Sequence, residues 1–306
     1  MIRLACVACM DERRSVHTPT YLRAVELAQE LLLPEQVSVR LFDDGASAEG
    51  AARAAQEILT WAPDAIVGHF ASSAADAAAP LYAQHRLPLF LPAATAKHLT
   101  RYPTTWRLCD NDEDYAAWLR QLFKQPDLAR FISDDGSVHG KSVTRQLAGI
   151  ASTARPEQAK TVIYAGSYQH ALAWAVRWTQ QSPADARLIL GDDAWSAELV
   201  PALLSKGVDL STRQIFVAAM MPQPAGEQAI AITTSWRQRW DGLPGCYFWE
   251  TLAALQVACR YPDFPAQTVL GKLSFTAQRE SHPHSFSLWQ ATNNGLQVVA
   301  TPEIRL

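Results

Sequence analysis

The stretch that most constrains this chain runs from Ile66 to Ala96, IVGHFASSAADAAAPLYAQHRLPLFLPAATA. It reads as one βαβ unit. DAIVGH and LPLFLP are apolar runs short enough for buried strands, the second bounded by prolines. Between them lies an alanine-rich helix with Ser72-Ser73 expected in the N-cap position. A strand that runs into serine at a helix start collects free backbone N–H groups, a hydroxyl and the positive end of the helix dipole. The second strand ends in the small residues Ala93-Ala94-Thr95, at the same carboxyl edge where open parallel sheets bind ligands.

The rest of the chain repeats the alternation. Leu4–Cys9 is a first buried strand, and Thr18-Pro19 supplies an expected N-cap and first-turn proline for the helix that follows. Val37–Phe42 is a second strand, after which Ser47 can cap a helix that ends at Pro63. RLCDNDED, Arg107–Asp114, is polar and acidic and reads as a crossing between lobes. A second βα series follows: ARFIS, TVIYAG, RLILG and QIFVAA, with helices from Lys141, Ala171 and near Leu199. Met221-Pro222-Gln223-Pro224 reads as a second crossing. Helices over Gln228–Trp240 and Tyr247–Arg260 come next, and Asn293-Asn294-Gly295 signals a closing hairpin. Strands and helices in this order specify an α/β protein with doubly wound parallel sheets.

Composition narrows the function class. At 306 residues, 48% hydrophobic and 19% charged with net charge −3, the chain can fill about two domain cores. Its mild acidity supplies no electrostatic reason for nucleic acid or an anionic membrane as partner. No apolar run approaches the roughly 20 residues of a membrane span. MIRLACVAC begins almost at once on a strand without the pattern of a secretory leader, and the five cysteines show no disulfide framework. Both point to a cytoplasmic protein.

FDDGASAEGAARAAQEI, IVGHFASSAADAAAPLY, LPLFLPAATAKHLT and YFWETLAALQ together carry a family likeness over nearly the whole chain. The chain resembles the type I periplasmic solute-binding proteins, specifically the leucine/isoleucine/valine-binding branch. The resemblance implies two Rossmann-like lobes, residues 1–108 plus 222–283 and residues 109–221 plus 284–306, with a ligand held in the cleft between them. It implies that Ser72 meets the α-carboxylate of an amino acid. Ala93 and Thr95 resemble the pair whose backbone and hydroxyl hold carboxylate and ammonium. Tyr168 resembles the aromatic of the opposite lobe, and Asp193 falls where the family places an acid against the ammonium. A zwitterion needs donors for one end and an acid for the other, and strand ends can supply both. Two alternatives stay open: Thr95 could cap the next helix, and Asp192 could be the inward acid.

The departures from the family are informative. Ala46 and Ala71 stand about where parts of the branch carry a disulfide, which fits a reducing compartment. The stretch between Gly149 and Lys160 is shorter than in the family, as though one strand and one helix of the second lobe were missing. Met10-Asp11-Glu12-Arg13-Arg14 is crowded with charge where the family is small and apolar. Arg14, or Arg13 beside it, is therefore a candidate contact for an extra acid or acceptor on the ligand, against the alternative of a solvated loop. Tyr247 is a further ligand candidate, and Trp195, Phe248 and Trp249 are candidate walls, with helix core the alternative for the last two.

Other constellations carry less. Cys6-x-x-Cys9 lies on a strand, where the two side chains point to opposite faces, and so reads as buried structure. His282-Pro283-His284 could chelate a metal with His17 or His139, but no spacing supports it. No GxSxG, HExxH, Walker A or dinucleotide fingerprint is present. The expectation is a non-catalytic binding protein or sensor for an amino acid or derivative, bound as a zwitterion, without cofactor or metal. A regulatory protein partner and a homodimer are left open. The alternative is an enzyme or protein-partner scaffold in amino-acid-derived metabolism that has recruited the same cleft.

Overall fold

The computed structural model describes residues 1–122, 129–151, 153, 155–222, 224–281 and 286–299. The chain divides into two compact units, Met1–Asn111 with Pro222–Ser285, and Asp112–Met221 with Phe286–Leu306.

The first unit begins with β1 (Ile2–Ala8), α1 (Thr18–Leu31), β2 (Val37–Asp43), α2 (Ala48–Trp61), β3 (Ala65–Gly68), α3 (Ser72–Gln84), β4 (Leu89–Leu91) and β5 (Thr105–Arg107). The chain then enters the second unit through α4 (Asp112–Leu122), β6 (Arg130–Asp134), α5 (Val138–Leu147), β7 (Thr161–Ala165), α6 (Tyr168–Gln181), β8 (Arg187–Leu190), α7 (Leu199–Ser205) and β9 (Gln214–Met220). It returns to the first unit with α8 (Glu227–Arg239), α9 (Phe248–Ala258), β10 (Ala266–Thr268) and β11 (Gly271–Leu273), and ends in the second with β12 (Phe286–Thr292) and β13 (Gly295–Val299). The lobe boundary expected between residues 283 and 284, and His282-Pro283-His284, lie outside the described residues.

The first unit holds a parallel sheet in the order β2-β1-β3-β4-β5. The order reverses between β1 and β3, which puts helices on both faces. Strand alternation makes this visible in β1. Leu4, Cys6 and Ala8 face a core built on α1, α8 and α9, whereas Ala5 and Val7 face one built on α2 and α3. Phe248 and Trp249 are buried in the first core, and Trp195 is buried in the second unit. Helix-core packing therefore claims Phe248 and Trp249, while Trp195 packs edge-on against Trp289 of β12. Cys6 is likewise core, its thiol pushed up to about 12 by burial.

The second unit carries the order β13-β12-β9-β8-β7-β6, with β6 to β9 parallel and β12 antiparallel to both neighbours. Between α5 and β7 the described residues form only the short 3-10 turns Ala148–Ile150 and Pro156–Gln158. Thr292 faces Gly295 in the closing hairpin, where the glycine takes φ +108°, a conformation that L side chains resist.

Two local expectations are corrected. The N-cap of α1 is His17 rather than Thr18, whose hydroxyl instead donates to the Cys9 carbonyl at 2.8 Å. The N-cap of α3 is Ala71, without a side-chain cap, so Ser72 is the first helical residue and its hydroxyl is spent elsewhere. The polar-looking RLCDNDED crossing is buried from Arg107 to Asp112. Ser47 does cap α2, accepting from the Gly50 N–H at 3.1 Å.

Candidate functional site

In the first unit, the carboxyl ends of β1 to β4 are tied into one framework. Gly68 closes β3 at φ +130°, and a Cβ there would sit 1.8 Å from the Val7 carbonyl oxygen, so only glycine lets the strand end pack. His69 follows, fully buried. Its Nδ1 lies 2.7 Å from Asp44 Oδ2, at the β2 exit, and its Nε2 lies 3.2 Å from the Tyr82 hydroxyl of α3. The histidine of the GH-x-x-SS segment is thus a brace between β2, β3 and α3.

Beyond His69 the chain reaches Ser72. Its Oγ accepts a hydrogen bond from the Ala96 N–H at 3.3 Å, which brings the β3 and β4 exits together. The β4 exit is held from beneath by Arg107 on β5, a fully buried side chain. Its guanidinium donates to the carbonyls of Ala94 and Ala96, each at 2.7 Å, and to that of Lys97 at 3.3 Å. Arg107 Nε also lies 2.9 Å from Glu280 Oε2, while Oε1 of that glutamate accepts from the Thr100 hydroxyl at 2.8 Å. The ion pair, with carbonyl acceptors for the terminal nitrogens, accounts for an arginine at zero exposure, although Nε itself makes no hydrogen bond. Ala93 and Thr95, both buried, stand on this clamped loop. The 3-10 turn Lys97–Arg101 takes Ala96 as its N-cap, so Thr95 is not the helix cap.

Aromatic rings gather at the same edge. Phe70 lies 4.9 Å from Tyr21 and 6.1 Å from Tyr247, and His17 lies 5.8 Å from Tyr247, centroid to centroid. Tyr247 is buried and takes φ +68° immediately before α9, which turns the chain sharply into the helix. Sequence reading picked out Tyr247 and missed His17, Tyr21 and Phe70, which become neighbours only when α1, β3 and α9 pack. Of the paired arginines, exposed Arg13 closes on Asp11, with Nη2 at 2.9 Å from Oδ2. Arg14 extends over the β2 exit, where a Cβ on Gly45 would be 2.7 Å from its Nη1.

Behind this edge, Glu250 in the first turn of α9 is 1% exposed and its carboxylate oxygens have no hydrogen-bond partner. Burial, with the charge of Asp110 nearby, pushes its carboxyl up to about 8.

In the second unit, Tyr168 opens α6 directly after β7, buried enough to raise its phenol. The two aspartates after β8 separate cleanly. Asp192 is fully buried and its Oδ1 lies 2.9 Å from His139 Nε2, while His139 Nδ1 lies 2.9 Å from Asp112 Oδ1. Burial alone would lower the imidazole, but the charges of Asp192 and Asp112 hold it well above its usual range. Asp192 is therefore engaged within its own unit, and Asp193 is the more exposed of the two. Among the described residues no cluster of His, Cys, Asp and Glu could hold a metal, and no helix is long and apolar enough to cross a membrane.

Comparison with known proteins places this architecture. A family model described as periplasmic binding protein matches residues 14–244. No curated protein matches the sequence. Among solved structures, the leucine binding protein LivK of Thermotoga maritima is similar at 15% identity and TM-score 0.80, with 98% of each chain covered. LivJ of Streptococcus pneumoniae, a branched-chain amino acid transporter substrate binding protein in complex with isoleucine, is similar at 15% identity and TM-score 0.76, again over 98% of each chain. A solute binding protein of an ABC transporter from R. palustris, in complex with benzoate, reaches 14% identity and TM-score 0.74 over 98% of this chain and 95% of that one. The chain belongs to the periplasmic binding protein family, built on the fold of its leucine/isoleucine/valine-binding branch.

Proposed function

We propose that this protein binds an amino acid or a close derivative as a zwitterion and acts as a non-catalytic binding protein or sensor. The observation that carries this reading is the meeting of Ser72 with the β4 exit. A helix N-terminus, a hydroxyl and the backbone of Ala93–Ala96 converge there on a frame fixed by Arg107. Donors fixed in advance suit a carboxylate, because little ordering remains to be done on binding. Thr95 would add a hydroxyl, and Phe70 and Tyr247 an aromatic wall. Asp193 is the acid proposed for the ammonium, since Asp192 is committed to His139. Relatives of this fold include proteins solved with isoleucine and with benzoate, which supports a small carboxylate-bearing ligand as the class.

Isothermal calorimetry with the twenty amino acids and their amides tests the reading. One member should bind, and Ser72→Ala should weaken it. A panel without any binder at millimolar concentration overturns the amino-acid assignment. Turnover of the bound member would instead favour the enzyme alternative. We further propose a cytoplasmic location, supported by five cysteines without a disulfide framework. Fractionation of the native host checks it.

A further inference from the structure

The second unit contains a cavity that the proposed amino-acid site does not use. It lies between the 3-10 turn Pro156–Gln158 and the C-terminal half of α6, with a volume of about 290 Å³. Tyr168, at the other end of α6, is ten residues from Trp178, or about 15 Å along the helix axis at roughly 1.5 Å per residue. The cavity and the strand-exit edge are therefore separate places. Trp174, one of the cavity walls, is braced by the sheet: Phe131 on β6 and Tyr164 on β7 lie on one face, and Trp174 stacks on both at 6.1 and 4.8 Å. Between α5 and β7 the described residues form only two short 3-10 turns, and the cavity lies beside the second.

The lining has a definite chemical sense. Trp178 and Ser182 are 4% and 9% exposed, and the Trp178 indole N–H and the Ser182 hydroxyl have no hydrogen-bond partner. The Trp174 indole N–H is likewise buried without one. Such groups normally find partners, because leaving them bare costs of order 1–3 kcal/mol each. Arg177 is exposed beside them. Its guanidinium lies 5.7 Å over the Trp174 ring and forms no ion pair among the described residues. A cation against two indole walls gives the cavity the character of an anion site with an aromatic lining. Exposed Glu157 and Gln181 complete the lining, and Glu157 is its one acidic group. About 290 Å³ is at the lower end of ligand pockets and admits one ring.

We infer that this cavity is a second binding site, which takes a small aromatic carboxylate. The carboxylate meets Arg177, and the ring lies against Trp174 and Trp178. The inference is independent of the amino-acid reading, which concerns the strand-exit residues and not this cavity.

The test titrates the full chain with benzoate, its neutral isostere benzamide and the cation benzamidine, read by calorimetry and by tryptophan fluorescence. Benzoate should bind, with benzamide weaker by about tenfold or more, as loss of a charge-assisted contact predicts. Arg177→Gln and Trp178→Phe should each weaken benzoate by roughly tenfold. Ser72→Ala should leave that affinity where it was. Arg177 is exposed, so its replacement leaves the fold intact and keeps the test decisive even where Trp178→Phe lowers stability. Three results would overturn the inference: no benzoate binding at tens of millimolar, tighter binding of benzamidine than of benzoate, or benzoate binding that Ser72→Ala abolishes and Arg177→Gln spares.

Discussion

At the scale of single residues, this chain repeatedly commits a polar side chain to one task and leaves its neighbour for another. Asp192 and Asp193 are adjacent, yet Asp192 holds His139 and only Asp193 is left more exposed. Ser72→Ala should cost about ten- to a hundredfold in ligand affinity, as expected for one hydrogen bond to a carboxylate, and Asp193→Asn at least as much. Asp192→Asn should act through the fold, lowering the melting temperature because the His139 imidazolium loses a buried partner. Calorimetry and melting curves on the three variants separate these outcomes. Binding lost in Asp192→Asn with the melting temperature unchanged would transfer the ligand role to Asp192. Glu250 supplies a further prediction. Its carboxyl titrates near 8 in the fold and near 4.5 otherwise, so between those values the folded chain keeps a proton that the unfolded chain has released. Stability therefore falls as pH rises through that window, by about 1 kcal/mol per pH unit from this one group. Glu250→Gln should remove this group's share of the slope and leave the protein more stable than wild type at pH 8. Urea titrations at pH 5, 6.5 and 8 measure it.

At the scale of elements, the β4 exit depends on a neighbour distant in sequence. Arg107 holds the carbonyls of Ala94, Ala96 and Lys97 and pairs with Glu280, far along the chain. Arg107→Met should destabilise the protein by about 3–5 kcal/mol, since it leaves Glu280 buried without its cation. It should also weaken the ligand through Thr95. The double variant Arg107→Met/Glu280→Leu should regain much of the stability without regaining affinity. Denaturant unfolding gives the first result and calorimetry the second. Recovery of affinity in the double variant would mean that the clamp does not position the loop. RLCDNDED shows why the sequence hid this arrangement. A run of charges reads as solvated, and only the ion pair with Glu280 lets Arg107 sit inside.

At the scale of the whole molecule, a bound ligand should stabilise the native chain by mass action. The gain is about 2.7 kcal/mol at a hundredfold excess over the dissociation constant, read as a rise in melting temperature. The pH profile is also a whole-chain property. His139 is raised between Asp112 and Asp192, so its stabilising charge is fully present below about 6.5 and fades as pH rises through its elevated folded value. Glu250 acts in the same direction. Stability at pH 9 should therefore be lower than at pH 6, and His139→Gln together with Glu250→Gln should flatten the difference. An unchanged slope in the double variant would assign the pH dependence to other groups.

Without specifying the three-residue strands β5, β10 and β11, the sequence by itself determined the order of the longer strands and helices, the capping of α2 by Ser47 and the closing hairpin. Each of these is encoded within a few residues, in alternation, caps and turn chemistry. It also marked Ser72 and the Ala93–Thr95 loop, because a strand followed by small residues and a helix start is a local pattern. Only the tertiary structure decided the rest. That Ser72 reaches Ala96, that Arg107 and Glu280 form the clamp, that His139 takes Asp192, and that Phe70, Tyr21 and His17 collect around Tyr247 all depend on elements far apart in the chain. Whether a polar residue is buried is set by the partner that packing brings to it, and no local stretch of sequence contains that partner.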